Sequence, residues 1–412
     1  MRADRLVLLG SVLVGATLRF WALGARRLGF DEAFTALADR RPLGAIGGLH
    51  VSCLAPRAAV GDETSSLTFS ELQAPASHSQ SMTTIQVPMN FPSEKAPMLF
   101  RPPVDTELDV EETVRRWGRS PVSPFHTEPG RTALRLAGGG VAGYEPVGRW
   151  AVFPTGIVAP PGLESDALDS LMDQVRSAGR RPVFAALPDP IPYETRGLHA
   201  TRIAHDAQID LSTFSLAGKR MASLRHSITS ARRAGLRIVP FSEALGRGVA
   251  AVSDEWLSTK RGGEMGFTLG RFDPDPTRAV ECRVAITDAG EVAGFVTWRT
   301  YDDGHARVLD IMRRSADAPN PTMDLLIGES LLEFAAAGVE RASLGAVPLS
   351  HGSVSERVYP TVTLRRYKEK FAPTWEPLWL VAPSPLRTPG ALMAVASAYC
   401  PGGIRQAFRR NG

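Results

Sequence analysis

The spacing of apolar and polar residues changes character several times along the chain. Residues 6–24, LVLLGSVLVGATLRFWALG, form an apolar run whose only charge is Arg19; at about 1.5 Å per helical residue it is long enough to span a bilayer. Arg2 and Arg5 precede it and Arg26 and Arg27 follow, so flanking charge sets no orientation. Residues 51–111 have little periodicity, and Ser, Thr, Pro and Gln fill stretches such as VGDETSSLTFSELQAPASHSQSMTTIQVP. Such a segment buries too little apolar surface to offset chain entropy, which predicts a disordered linker.

Periodicity resumes near Val114. The run GRTALRLAGGGVAGYEPVGRWAVFPTGIVAP is a series of short apolar stretches cut by Gly and Pro, predicting adjacent strands; residues 164–178 predict a helix and Arg180 to Leu187 a strand. The same succession recurs further on. CRVAITDAGEVAGFVTWRTY predicts a hairpin about Asp288-Ala289-Gly290, Arg307 to Met312 a third strand, Met323 to Ala337 a helix and Arg341 to Leu344 a strand. Between the two sets, Met221, Leu224, Ile228 and Ala231 recur at helical spacing within AGKRMASLRHSITSARRAGLRIVPF, predicting an amphipathic helix that stops at Gly235.

The length of 412 residues favours more than one packed unit. Apolar residues at 43% and charged residues at 22%, with a mean hydropathy of -0.08, exclude a polytopic membrane protein. The net charge of +4 and pI of about 9.1 admit a polyanionic partner without requiring one. Cys53, Cys282 and Cys400 are far apart and form no CxxC pair, so neither a disulfide framework nor a zinc site is indicated. No GxxxxGK[ST], HExxH or GxSxG motif is present, which removes nucleotide hydrolysis, zinc peptidase and serine hydrolase chemistry.

Off the apolar face of the basic helix stand Lys219, Arg220, Arg225, Arg232 and Arg233. They are either a solvated surface or phosphate contacts to a nucleic acid. Further motifs follow in order: SDEWLSTKRGGEMGFTLGRFD at Ser253 to Asp273, LDIMRRSADAPNPTMD at Leu309 to Asp324, SLGAVPLS at Ser343 to Ser350, and LRRYKEKFAPTWEP at Leu364 to Pro377. Together, from Trp117 to Pro383, they resemble the cytoplasmic domain of bacterial phosphatidylglycerol lysyltransferases, which move an aminoacyl group from charged tRNA to a lipid hydroxyl.

The resemblance implies an α/β (α+β) architecture of two tandem acetyltransferase-like units, at 112–210 and 211–395, the second carrying the active site. It implies an enzyme using aminoacyl-tRNA and phosphatidylglycerol or another anionic lipid, at the cell membrane with its catalytic domain on the cytoplasmic side, and lysyl is the group expected to move. An activated ester donor requires positioning, proton removal and oxyanion stabilisation but no metal or other cofactor. The resemblance marks Asp310 as the acid that orients or deprotonates the acceptor hydroxyl and Arg313 as a phosphate clamp; a structural ion pair is the other reading of the same residues. It also marks Lys368 and Lys370 for tRNA phosphates or the developing oxyanion, although the Lys/Glu alternation around Tyr367 and Phe371 equally fits an exposed strand face. Arg366 shares that ambiguity, and Arg271, in Gly270-Arg271-Phe272-Asp273, sits in either a substrate contact or a packing turn. A CoA-dependent acetyltransferase would carry a glycine-rich pyrophosphate loop where this chain has RRSADAPNPTMD, which counts against CoA as donor.

Two departures widen the reading. RFWALGARRLGFDEAFTALADRRPLG, with its acidic pair Asp31 and Glu32, resembles the amino-terminal edge of protein mannosyltransferase-type glycosyltransferases, making residues 1–50 a possible anchor or remnant of that kind; glycosyl transfer is not expected. Only HGSVSERVYPTVT separates the SLGAVPLS and RRYKEKF motifs, where relatives of the family carry a further helical stretch. The alternatives are a membrane-tethered module that binds tRNA or anionic lipid without turnover, and a transferase acting on a non-lipid acceptor.

Overall fold

The computed structural model describes residues 109–259, 264, 266–268, 270–273, 280–349 and 361–400. The apolar run at 6–24, the Asp31-Glu32 pair, the linker up to residue 108 and the short segment 350–360 lie outside the described residues. Among the described residues no helix is long and apolar enough to cross a membrane.

The chain enters through helix α1 (Val110–Trp117), whose first N–H is capped by Asp109 at 2.7 Å. A meander of β1 (Thr132–Arg135), β2 (Val141–Val147) and β3 (Trp150–Phe153) follows. Then come α2 (Glu164–Ser177), β4 (Arg181–Leu187), the single turn α3 (Ile191–Glu194) and the long β5 (His199–Asp210). The second half repeats the plan: α4 (Ala222–Arg233), β6 (Arg237–Pro240), α5 (Glu243–Ser258), the meander β7 (Val280–Ile286), β8 (Val292–Tyr301) and β9 (Ala306–Arg314), then α6 (Thr322–Ala336), β10 (Arg341–Pro348), α7 (Thr361–Glu369), β11 (Thr374–Ala382) and α8 (Thr388–Tyr399). In each half an antiparallel meander is followed by a helix and a parallel strand, β3 beside β4 and β9 beside β10. This is the duplicated α/β plan expected of tandem acetyltransferase-like units.

The halves share one eleven-stranded sheet, ordered β1-β2-β3-β4-β11-β5-β10-β9-β8-β7-β6. Each half sends its last strand across: β11 pairs antiparallel with β4 and β5, while β5 pairs antiparallel with β11 and β10. The exchange is nearly symmetric about the β5–β11 pair, so neither half completes its sheet without the other.

The apolar spacing that predicted α4 is the face it buries. Leu224, Ile228 and Ala231 pack with Leu326, Leu331 and Phe334 of α6 and with Trp298 and Leu309 beneath. The RRYKEKF segment differs from the strand reading: it is helical through Glu369. The spacing there is helical, because Arg365 pairs with Glu369 at 3.1 Å and the Tyr367 ring meets Phe371 at 5.8 Å, each four residues on. Lys368 is therefore turned inward, at 3% exposure, instead of standing on a solvent face.

The first half is tied by a buried histidine. The His126 Nδ1 accepts from Gly143 N at 3.0 Å and Nε2 lies 2.8 Å from Gly156 O, a pairing that suits the neutral ring with its proton on Nε2. Burial pulls its pKa down to about 4. The unfolded chain takes up this proton first, so the contribution is complete above the unfolded value near 6.5 and is lost as pH falls toward 4, by about 3 kcal/mol at most. Urea unfolding of the wild type from pH 7 to 4 should show this loss. In His126→Leu, less stable at neutral pH, that part of the pH slope should disappear.

Candidate active site

The site is built on an irregularity in β9. Val296 pairs with Met312 but Trp298 with Leu309, so Thr297 faces two residues, Asp310 and Ile311, and the Thr297 hydroxyl oxygen accepts the Ile311 N–H at 3.0 Å. This bulge changes which side chains share a face. In a regular strand Asp310 and Arg313, three apart, point to opposite sides. With the extra residue both meet the same covering segment, whose described residues are 264, 266–268 and 270–273.

That segment is held from several elements. Asp310, 3% exposed, accepts from Gly270 N at 2.8 Å through Oδ1 and from Arg299 Nε at 2.8 Å through Oδ2. Arg299 in turn pairs with Glu128 of the first half at 2.6 Å and lies over the Phe125 ring at 4.8 Å. Burial opposes the Arg299 charge, but the carboxylates of Asp310 and Glu128 outweigh it and raise its pKa. Arg313, 4% exposed, donates to the Ser253 hydroxyl of α5 and to Glu264, with its guanidinium 4.8 Å from the Trp256 ring centre. Glu264 also accepts from Phe272 N at 3.0 Å. From the first half, Arg131 donates to Phe267 O at 2.7 Å, and from α8 the Tyr399 hydroxyl meets Thr268. Gly270 has no substitute here: a Cβ would lie 2.2 Å from both carboxylate oxygens of Asp310.

A second cluster forms where β9 and β10 part. Their parallel pairing ends at Ser343 and Val308, although both strands continue, and β10 bulges against β5 between Ser343 and Ala346. Gly345 supplies the positive φ of 83° within that bulge. The Lys368 ammonium donates to Gly345 O at 2.7 Å and Ala346 O at 3.2 Å. Ser343 Oγ donates to Asp206 at 2.9 Å and accepts from Gly345 N at 2.9 Å. Burial drives both ionisable groups toward neutrality: it lowers Lys368 to about 8 against the pull of Asp206, and it raises Asp206 against Ser343 and Lys368. Beside them Lys370 pairs with Asp324 at 2.9 Å, in the first turn of α6.

The other basic residues fall into two groups. Arg225 donates to the carbonyls of Leu216 and Gly218, closing the turn that leads into α4, and Arg232 pairs with Glu329 of α6, with Nε 2.9 Å from Oε1. Both are committed to the fold. Lys219, Arg220, Arg233, Arg271 and Arg366 are exposed, and Arg271 lies against Gly266. The fold thus brings Asp310 with Arg313 and Lys368 near Lys370, and sets the outer surface of α4 apart. Sequence reasoning passed over Arg299, Glu128, Asp206 and Ser343. The one local signal was a polar residue within an apolar strand, as with Arg299 in FVTWRTY.

A family model described as phosphatidylglycerol lysyltransferase, C-terminal, matches residues 113–382. The phosphatidylglycerol lysyltransferase of Bacillus subtilis (strain 168) is 29% identical over 237 residues, covering 52% of this chain and 27% of the relative. That of Staphylococcus xylosus is 31% identical over 211 residues, covering 46% and 25%. The chain therefore matches only about a quarter of these relatives' length. Among solved structures, the C-terminal domain of a candidate lysylphosphatidylglycerol synthetase from Agrobacterium fabrum superposes with a TM-score of 0.60 at 26% identity, covering 69% of this chain and 93% of that one. L-PGS from Bacillus licheniformis gives 0.60 at 23%, covering 68% and 92%, a likeness of fold.

Proposed function

Since the chain belongs to the phosphatidylglycerol lysyltransferase C-terminal family, we propose that it transfers an aminoacyl group, lysyl in the first instance, from aminoacyl-tRNA to a hydroxyl of phosphatidylglycerol. The observation that carries this reading is the extent of the match, residues 113–382, which contains both polar clusters and the whole shared sheet. In the reaction the lipid hydroxyl oxygen bonds to the ester carbonyl, the bond to the terminal ribose oxygen breaks, and the hydroxyl proton ends on that ribose oxygen.

In this reading Asp310 acts through what it holds. With both oxygens engaged by Gly270 and Arg299, it is a positioning residue that sets the covering segment over the acceptor. Arg313 takes up an acceptor phosphate in exchange for its present partner, the Glu264 carboxylate, an anion that accepts the same paired hydrogen bonds. Lys368 supplies positive charge near the developing oxyanion. The exposed Lys219, Arg220 and Arg233 give the tRNA backbone salt-sensitive contacts that carry no sequence information. At the first turn of α6, Asp324 presents a buried carboxylate where a CoA-type donor needs helix N–H groups for its pyrophosphate. Association with the cytoplasmic membrane face belongs to the same proposal.

One observation favours a second reading: Asp310 and Arg313 are both hydrogen-bonded to protein groups, which also suits a module that binds without turnover. Mass spectrometry of lipid extracts from cells producing the full chain separates the two. A phosphatidylglycerol species heavier by one aminoacyl group, absent from cells producing Asp310→Asn, supports transfer. Unchanged lipids together with salt-sensitive retention of tRNA by the purified chain support the binding module, and an aminoacyl adduct found on an amine in place of the lipid would assign a non-lipid acceptor.

A further inference from the structure

The two polar clusters leave unexplained a basic and apolar edge on the first half of the sheet. β3 and β4 run parallel and begin together, with Trp150 in register with Arg181. Arg181 N donates to Arg149 O at 2.8 Å and the Arg180 guanidinium to Gly148 O at 3.0 Å, which ties the two strand entrances into one rim. The start of α8 is placed at the same rim, since a Cβ on Gly390 would lie 3.2 Å from the Trp150 ring. Just before it, in the turn Pro385–Arg387, Leu386 is 93% exposed, and on the outer side of α8 Met393 is 39% exposed. The three segments that meet here, residues 146–151, 177–183 and 383–393, contain Arg149, Arg180, Arg181 and Arg387 and no acidic residue.

We propose that this rim docks on an anionic bilayer, with Leu386 entering the interface and the four arginines meeting lipid phosphates. The pairing of features selects the partner. Single exposed apolar residues are ordinary, but an almost fully exposed leucine, held on a proline-flanked turn where the three meeting segments supply four arginines and no acidic residue, matches the insertion-plus-charge chemistry of interfacial binding. An RNA backbone would satisfy the arginines and leave the leucine in water. The inference deepens the reading above, because an enzyme acting on phosphatidylglycerol must hold its domain at such a surface; its test does not use turnover, so either can fail alone.

The test uses the full chain carrying Leu386→Cys on a background of Cys53→Ala, Cys282→Ala and Cys400→Ala, labelled at residue 386 with an environment-sensitive fluorophore. A matched chain is labelled through Ser230→Cys on the exposed side of α4. Phosphatidylglycerol vesicles should shift the emission of the residue-386 probe to the blue, and lipids brominated near the headgroup should quench it. Phosphatidylcholine vesicles should leave it unchanged, and the residue-230 probe should not respond. Adding Arg149→Glu and Arg387→Glu should weaken the response by at least roughly fivefold for each arginine lost. No shift with phosphatidylglycerol vesicles, an equal shift at residue 230, or a shift produced by tRNA in place of vesicles would overturn the proposal.

Discussion

Asp310→Asn should lower the transfer rate by about a hundredfold or more while leaving a folded protein. The amide keeps the size of the carboxylate and retains one oxygen to accept from either Gly270 N or Arg299, but it removes the charge that Arg299 shares between Asp310 and Glu128. A misplaced catalytic arrangement commonly loses about that much rate. The stability cost should be modest, about 1–3 kcal/mol for a weakened buried hydrogen-bonded pair. Asp310→Ala should be worse on both counts, because Arg299 loses its most buried partner and Gly270 N loses its acceptor. Gly270→Ala should mimic the loss of activity with the carboxylate still present, since the added methyl has to push the segment off Asp310. Initial rates set beside thermal unfolding check the set. Full-rate transfer by Asp310→Asn would remove Asp310 from the mechanism.

The second large effect is a pH dependence set by Lys368. Its charged form is the one assigned to the oxyanion, and burial has brought its pKa to about 8. Transfer rates at saturating substrates should therefore hold below that pH and fall as pH rises through it. Lys368→Arg, whose guanidinium stays protonated throughout, should lose the fall if it retains activity, and Lys368→Met should lose transfer at every pH while still retaining tRNA. A rate that climbs through pH 8 would instead assign the neutral amine as a base and sink the electrostatic role.

How much of this was legible in the sequence depends on how local the cause is. The buried face of α4, the β7–β8 hairpin and helix α6 follow from spacings within a dozen residues, and they stand where the periodicity put them. The family motifs marked Asp310, Arg313 and Lys368 as candidates, whose roles the variants above test. The β9 bulge was not legible, because an extra residue is defined only against its partner strand; yet it decides that Asp310 and Arg313 share a face. The exchange of β5 and β11 was hidden for the same reason, since strand order is set by distant pairing. Arg299 and Glu128 meet only after both halves have folded. The RRYKEKF segment was misread because alternating charge imitates a strand when the helical contacts of Tyr367 with Phe371 and of Arg365 with Glu369 are not yet known.

The central claim is aminoacyl transfer to lipid, and the most direct measurement supplies the purified full chain with a mixed pool of tRNAs charged with radiolabelled amino acids and vesicles containing phosphatidylglycerol. The account predicts label in the organic phase that is abolished by ribonuclease treatment of the donor, lost in Asp310→Asn, and greatest with lysyl-tRNA. Binding of charged tRNA with no label reaching lipid under any donor would contradict it.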